Sequence, residues 1–202
     1  MKSGPFVLAR RLVSEAEFIQ YWAPLYSYGN EARYDEDIGR PLTPERVRRL
    51  FEWKNGGRLS RAKAASVEEN FVGRIGELED LDADTEAVSF LERFSRGGAI
   101  WRIYWLHLWA PQRFPIYDQH VHRAMAWITQ GAPEEVPRRD KAKIRAYLEA
   151  YLPFMQRFSQ HPARQVDRAL WTCGKHMKQF AGQEIGTCAE RVGVAHSVTN
   201  SG

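Results

Sequence analysis

The run AIWRIYWLHLWA at residues 99–110 constrains this chain more than any other stretch. Only Arg102 and His107 interrupt its apolar character. As a helix it must be buried nearly all round. It is too short for a bilayer, which needs about 20 such residues. A helix hidden on every side needs others wrapped about it, and the flanking sequence carries their signals. Ser14 with Glu17 is a capping-box pattern, and Phe18, Trp22, Leu25 and Tyr26 follow at helical spacing. Thr43-Pro44 opens a helix bearing Val47, Leu50 and Phe51, which ends at Asn55-Gly56-Gly57. Ser60 to about Leu78 reads as helix interrupted by Gly73 and Gly76. Asp84-Thr85 opens a short helix with Val88, Leu91 and Phe94 in phase. Asp118 stands at the N-cap of QHVHRAMAWI, which Gly131 ends. Ile144, Tyr147, Leu148, Tyr151, Leu152 and Met155 form a 3.6-residue stripe over 141–158, with a kink expected at Pro153. A last helix, Pro162 to Phe180, carries Val166, Leu170 and Trp171. The polar stretch Gly29 to Pro41 and the segment Pro111 to Tyr117 read as connections, and residues 181–202 as a mobile tail. No alternating strand pattern and no repeat is present. The fold class is all-α.

Composition narrows the function classes. At 202 residues the chain is one unit, and 44% hydrophobic against 27% charged residues excludes wholesale disorder. Met1 to Val13 lacks the apolar core of roughly 7–15 residues that a signal peptide needs. Two cysteines, Cys173 and Cys188, cannot build a disulfide framework or a four-cysteine iron–sulfur or zinc site, so a reducing cytosol is expected. The net charge is +4, and 22 of the 29 basic residues are Arg, whose forks match phosphate oxygens. Nucleic acid is therefore a candidate partner; the codon bias of a GC-rich genome is the other source of such a preference. Basic clusters lie at Arg46/Arg48/Arg49, Arg58/Arg61/Lys63 and Arg138/Arg139/Lys141/Lys143/Arg145. With Arg96 and Arg113 they would make one phosphate-tracking surface, and the six acids between Glu77 and Glu86 would face away from it.

The densest chemistry is RFPIYDQHVHRAM, beginning at Arg113. Asp118 is its only acid. One reading is a helix cap worth about 1 kcal/mol. The other is a carboxylate at the mouth of a cleft, facing a cation that develops during glycosidic bond cleavage. His120 and His122 lie two apart and do not share a helix face, so no shared metal is expected.

The string Pro115-Ile116-Tyr117-Asp118-Gln119-His120-Val121-His122-Arg123 resembles the Pro-x-x-Asp-x-His-Val-x-Arg signature of the helix-hairpin-helix DNA glycosylase superfamily, which includes 8-oxoguanine and alkyl-base glycosylases. In that family a glycine-turn hairpin and a buried helix precede the string. Here Gly97-Gly98 and residues 99–109 hold those places, with 20 residues from Gly98 to Asp118. The likeness covers about 95–125, and loosely 43–180. It implies two lobes with the active site in the cleft between them. One lobe would hold about 30–115, and the other 1–29 plus 116–180. Asp118 would be the catalytic carboxylate. Arg96, Gly97 and Gly98 would meet DNA at the hairpin, with Arg96 in place of the first glycine. Trp53, Lys54 and Asn55 would form a wedge inserted into the base stack, or else a plain helix end. Tyr117 and Gln119 flank Asp118 as pocket candidates for a flipped base, with Trp22, Tyr26 and Tyr28 as the facing wall. Trp101, Tyr104, Trp105 and Trp109 read as core. Arg113 and Arg123 are further DNA-contact candidates, Arg123 with a structural ion pair as the alternative.

The departures from the family matter as well. Bifunctional members carry a Lys just after the hairpin, where this chain has Ile100, and no Lys lies between Lys63 and Lys141. The resemblance therefore implies a monofunctional enzyme that leaves an intact-backbone abasic site. It needs no cofactor and lacks the family's iron–sulfur cluster. A monomer is expected, cytoplasmic and nucleoid-associated, acting on double-stranded DNA that carries a modified base. That base would be oxidised or alkylated, as in repair, or a bulky phage base such as glucosylated hydroxymethylcytosine. The altered hairpin and short first lobe lean toward the phage base. The rival classes are a DNA-binding protein that keeps the fold without catalysis, and a helical interaction protein in which Asp118 only caps.

Overall fold

The computed structural model describes residues 13–178. The expectations for Met1 to Val13, for Phe180, for Cys188 and for the tail at 181–202 fall outside them, Val13 excepted. Among the described residues the chain is helical throughout and contains no strand. No helix there is long and apolar enough to cross a membrane.

Local chemistry accounts for most boundaries. Helix α1, Glu15–Trp22, starts from a complete capping box: Ser14 Oγ accepts from Glu17 N, and the Glu17 carboxylate accepts from Ser14 N. Helix α3, Pro44–Asn55, begins where Thr43 accepts from Arg46 N, and it stops at Gly56, whose φ of 77° suits a residue without a side chain. Helix α4, Arg61–Asn70, is shorter than the sequence suggests. The remainder, Val72–Leu78 with Gly73 and Gly76, tightens into a 3-10 stretch. Helix α5, Ala87–Arg93, starts after Glu86 rather than at Asp84-Thr85, and this turns Phe90 into the core and leaves Val88 exposed. Helix α6 is Ala99–Trp109, α7 is Gln119–Gln130 and α8 is Asp140–Arg145. The expected kink before Pro153 is a π turn over Ala146–Tyr151, followed by α9, Leu152–Gln156. A wider turn absorbs the proline ring and its missing N–H. Helix α10 is Ala163–Met177.

One element escaped the pattern. Helix α2, Glu31–Asp37, lies within the stretch that reads as a connection. It has too few apolar residues to show a period. Tyr34 carries its packing, and buried Asp37 is held by Arg49 and Arg46.

Two sets of helices share one contiguous core. Helix α2 packs on α3, α4 leads into the 3-10 stretch, and α5 packs on α6. In the other set, α10 lies along α7 and receives α1 and the 3-10 turn Ala23–Leu25. The central helix is buried as its sequence demands, with every residue from Ile103 to Leu108 buried. Its His107 is a satisfied core histidine. The ring takes Tyr34 Oη at 2.8 Å on Nε2 and the Phe114 carbonyl at 2.7 Å on Nδ1. The carbonyl requires Nδ1–H to donate, and in the neutral ring Nε2 then accepts from Tyr34 Oη. Burial drives its pKa down to about 3.

This makes a signed prediction. Between about pH 3 and the unfolded value near 6.5, the unfolded chain binds a proton at this site that the folded chain refuses. The His107 contribution is thus complete above pH 6.5 and is lost progressively as pH falls. Urea midpoints should drop over this window in the native protein. They should drop less in His107→Gln, measured on the same scale.

Candidate functional site

Asp118 takes up both roles that its position allows. As the cap of α7, its Oδ1 accepts from His120 N at 2.8 Å and Val121 N at 3.2 Å. Its Oδ2 turns the other way and accepts from Lys54 Nζ at 3.1 Å. Burial works against the charge on Asp118. The Lys54 ammonium, His120 and the backbone N–H of Val121 outweigh it and hold the carboxyl below its ordinary value. Lys54 comes from the last turn of α3, and its side chain is only 8% exposed. The pair thus joins the two helix sets.

Around this pair lies a hollow lined by Tyr26, Tyr28, Trp53, Ile116, Asp167 and Trp171 as well as by Lys54 and Asp118 themselves. Three rings form a linked wall: Trp171 stands edge-on to Tyr26 at 5.2 Å and to Tyr28 at 5.4 Å. Tyr28 Oη donates to the Trp53 carbonyl at 2.8 Å, which locks the wall to α3. The hollow itself is about 20 Å³. That is room for a single water molecule and far too little for a nucleobase.

Behind the wall sits a charged lattice. Arg164 on α10 donates to Asp167, to Glu31 and to Tyr26 Oη, and its guanidinium lies over the rings of Tyr34, Tyr26 and Trp53. Arg168 adds bonds to Glu31 and Asp35. Asp167 is buried, and that burial, with Asp118 and Glu31 nearby, pushes its pKa up to about 6 against the pull of Arg164 and Lys54. Among the described residues no group of three or more His, Cys, Asp and Glu side chains is placed to hold a metal ion.

Several residues expected at the site lie elsewhere, each for a visible reason. Tyr117 points into the core, where its hydroxyl meets His122 Nδ1 at 2.8 Å; it does not line the hollow. Gln119 is exposed in the first turn of α7, and Trp22 packs edge-on to His176 at 5.3 Å. Neither belongs to the pocket. Trp53 and Lys54 are buried pocket residues, not a wedge offered to DNA. Asn55 is spent on the helix end, donating to the Gly57 and Arg58 carbonyls while accepting from Lys63. Arg113 uses its guanidinium to tie down the carbonyls of Ala83, Asp84 and Thr85. Arg123 is 1% exposed and fork-paired to Glu135, so its structural alternative holds. Arg46, Arg48 and Arg49 are engaged with Asp37, Glu45 and Glu68. Arg96 remains exposed, 3.8 Å from Glu69. Gly97 has φ of 85°, and a Cβ there would sit 2.9 Å from the Phe71 ring. Gly98 caps α6. Arg58 and Arg61 are exposed and take part in none of the ion pairs among the described residues.

Sequence reasoning missed Asp167, Trp171 and Ile116. A signal existed for the first two. Arg164, Asp167 and Trp171 follow one another at three- and four-residue spacing and share a helix face.

The Lys54–Asp118 pair is testable without an activity. Lys54→Met leaves a largely buried carboxylate without its cation and should lower stability by about 3 kcal/mol. Lys54→Met with Asp118→Asn should regain about half or more of that loss. Chemical denaturation of the two singles and the double measures it. Losses that simply add would show that the pair is not coupled.

Comparison of the chain with protein-family models, with curated proteins and with solved structures finds no match.

Proposed function

We propose that the protein is a DNA N-glycosylase of the helix-hairpin-helix type, hydrolysing the bond between a flipped modified base and its sugar. The observation that carries this reading is the placement of an ionised carboxylate, Asp118 Oδ2, in an aromatic-walled hollow where two helix sets meet. An oxocarbenium-like sugar needs a fixed negative charge beneath it, and a flipped base needs π-faces to stack on. Two further features support it. Helices α5 and α6 join through the Gly97-Gly98 turn ahead of the buried helix, as the hairpin requires. Exposed Arg58 and Arg61 follow the end of α3, whose last turn delivers Lys54 to the hollow, and provide phosphate contacts beside it.

Admission of a base requires the wall of Tyr26, Tyr28 and Trp171 to part from Trp53, since the hollow holds only one water. That same small volume favours a second reading, a DNA-binding protein that keeps the fold without catalysis. In the catalytic reading, Lys54 pairs with Asp118 and favours its charged form, water attacks the sugar, and no strand is cut.

A panel of duplexes decides between the readings. It carries single 8-oxoguanine or N7-methylguanine, with phage DNA containing glucosylated hydroxymethylcytosine alongside. Alkali-labile sites should appear in at least one member, without breaks before alkali and without a borohydride-trapped adduct. Binding with no release from any member would establish the second reading. A trapped adduct lost in Lys54→Met would make the enzyme bifunctional through a lysine from α3.

A further inference from the structure

We propose that Asp167 is the proton donor to the departing base, acting across the hollow from Asp118. The inference rests on the glycosylase reading and names a second catalytic residue for it. The two carboxylates reach one small hollow from different helices, Asp118 from the start of α7 and Asp167 from the second turn of α10. Their surroundings differ in kind. Asp118 accepts three N–H bonds, two from backbone and one from an ammonium. Asp167 receives Arg164 on Oδ2, and that guanidinium is shared with Glu31 and Tyr26. No hydrogen bond falls on Oδ1 among the described residues, which leaves that oxygen for the hollow.

Every element packed against Asp167 contributes. Arg164 lies on its own helix. Tyr26 follows the 3-10 turn, Glu31 and Tyr34 lie on α2, Lys54 on α3, Tyr104 on α6, Asp118 at α7 and Tyr151 in the π turn. Arg164 and Lys54 favour its charged form; burial, Asp118 and Glu31 favour the acid. The tyrosines stay neutral, since burial raises their own pKa values. Two acids in one site, pushed in opposite directions, are the arrangement in which one serves as anion and the other as acid.

The step balances. The C1′–N bond breaks and its electron pair passes to the base, whose nitrogen takes the proton from Asp167. Water adds to C1′ and yields a proton to Asp118. Solvent then returns a proton to Asp167 and removes one from Asp118. One water is consumed, and a free base and an abasic sugar are formed.

The test exploits leaving groups. N7-methylguanine departs from a base that is already cationic and needs no proton, whereas 8-oxoguanine and glucosylated hydroxymethylcytosine leave from neutral bases. Single-turnover release of a neutral base by the native protein should fall about tenfold per pH unit above about 6, and release of N7-methylguanine should not follow that limb. Asp167→Asn should slow neutral-base release by about 10²-fold or more and N7-methylguanine release by less than about 3-fold, with Asp167→Glu partly restoring the former. Equal slowing on both kinds of base, or none, overturns the assignment, as does release of N7-methylguanine alone. Should Asp167→Asn fail to fold, the native pH profile on the neutral base still decides, and a flat one overturns it. Asp118→Asn separates the two levels: it should silence both kinds of base. If it stays active, or if the native protein releases neither, the glycosylase reading itself falls.

Discussion

Asp118→Asn should leave the fold in place and reduce base release by about 10³-fold or more. The amide oxygen can still accept from His120 N and Val121 N, so the cap on α7 survives. What disappears is the negative charge on the atom that faces Lys54 and the hollow. Without it a sugar turning positive faces the Lys54 ammonium uncompensated, which repels it. The buried ammonium also loses its partner, so a stability cost accompanies the change. Asp118→Asn with Lys54→Met removes that cost and isolates the chemical effect. Release should remain lost in the double variant while its melting approaches that of the native protein. DNA binding should persist in both, measured by electrophoretic shift on duplex. Base release by Asp118→Asn within about tenfold of native would remove the carboxylate from the mechanism.

Gly174→Ala should cost about 3 kcal/mol, the largest loss expected from any single added methyl group here. A Cβ at this position would lie 1.8 Å from the His120 carbonyl oxygen and 2.5 Å from its carbon. Both belong to backbone in the first turn of α7, so no side chain can swing aside. The helices must separate instead. That separation would move Asp118, at the head of α7, away from Asp167 and Trp171 on α10, so the hollow would open and lose its register. It would also break the bond from buried Arg123 to the Gly174 carbonyl. Thermal melting should fall by about 10 °C for a protein of this size. Gly29→Ala is the control, because nothing lies within 4 Å of its added carbon. Equal melting temperatures for the two variants would show that α7 and α10 do not meet as closely as described.

These two predictions rest on different kinds of legibility. Asp118 is readable from the linear chain, since its cap role follows from the residue type, the helix after it and the loop before it. Tyr26 and Tyr28 are readable as aromatic candidates for the facing wall, and the structure brings both to the hollow. Tyr117 is not, although it is Asp118's neighbour in sequence. Adjacent residues in an extended stretch point to opposite sides, and here the one beside the carboxylate faces Tyr147 and Tyr151. Trp53 and Lys54 show the reverse case. Their place at a helix end before two glycines suggests exposure, yet α10 and the turn after α1 close over them. No local signal carries that information, because Tyr28 lies 25 positions before Trp53 and Arg164 lies 111 after it.

Apart from α2 and the start of α5, helix existence, caps and the buried centre follow from composition and period alone, because those depend on interactions within about one turn of chain. The sequence by itself therefore determined an all-helical protein built round residues 99–109, with an acid capping the helix after it. Only the tertiary structure decided which charges that acid meets. Gly174 lets two helices touch, α3 supplies the lysine, and α10 supplies a second acid whose spacing with Arg164 and Trp171 does not say what it faces. Electrostatic partners are chosen by distance in space, and distance in space is set by packing.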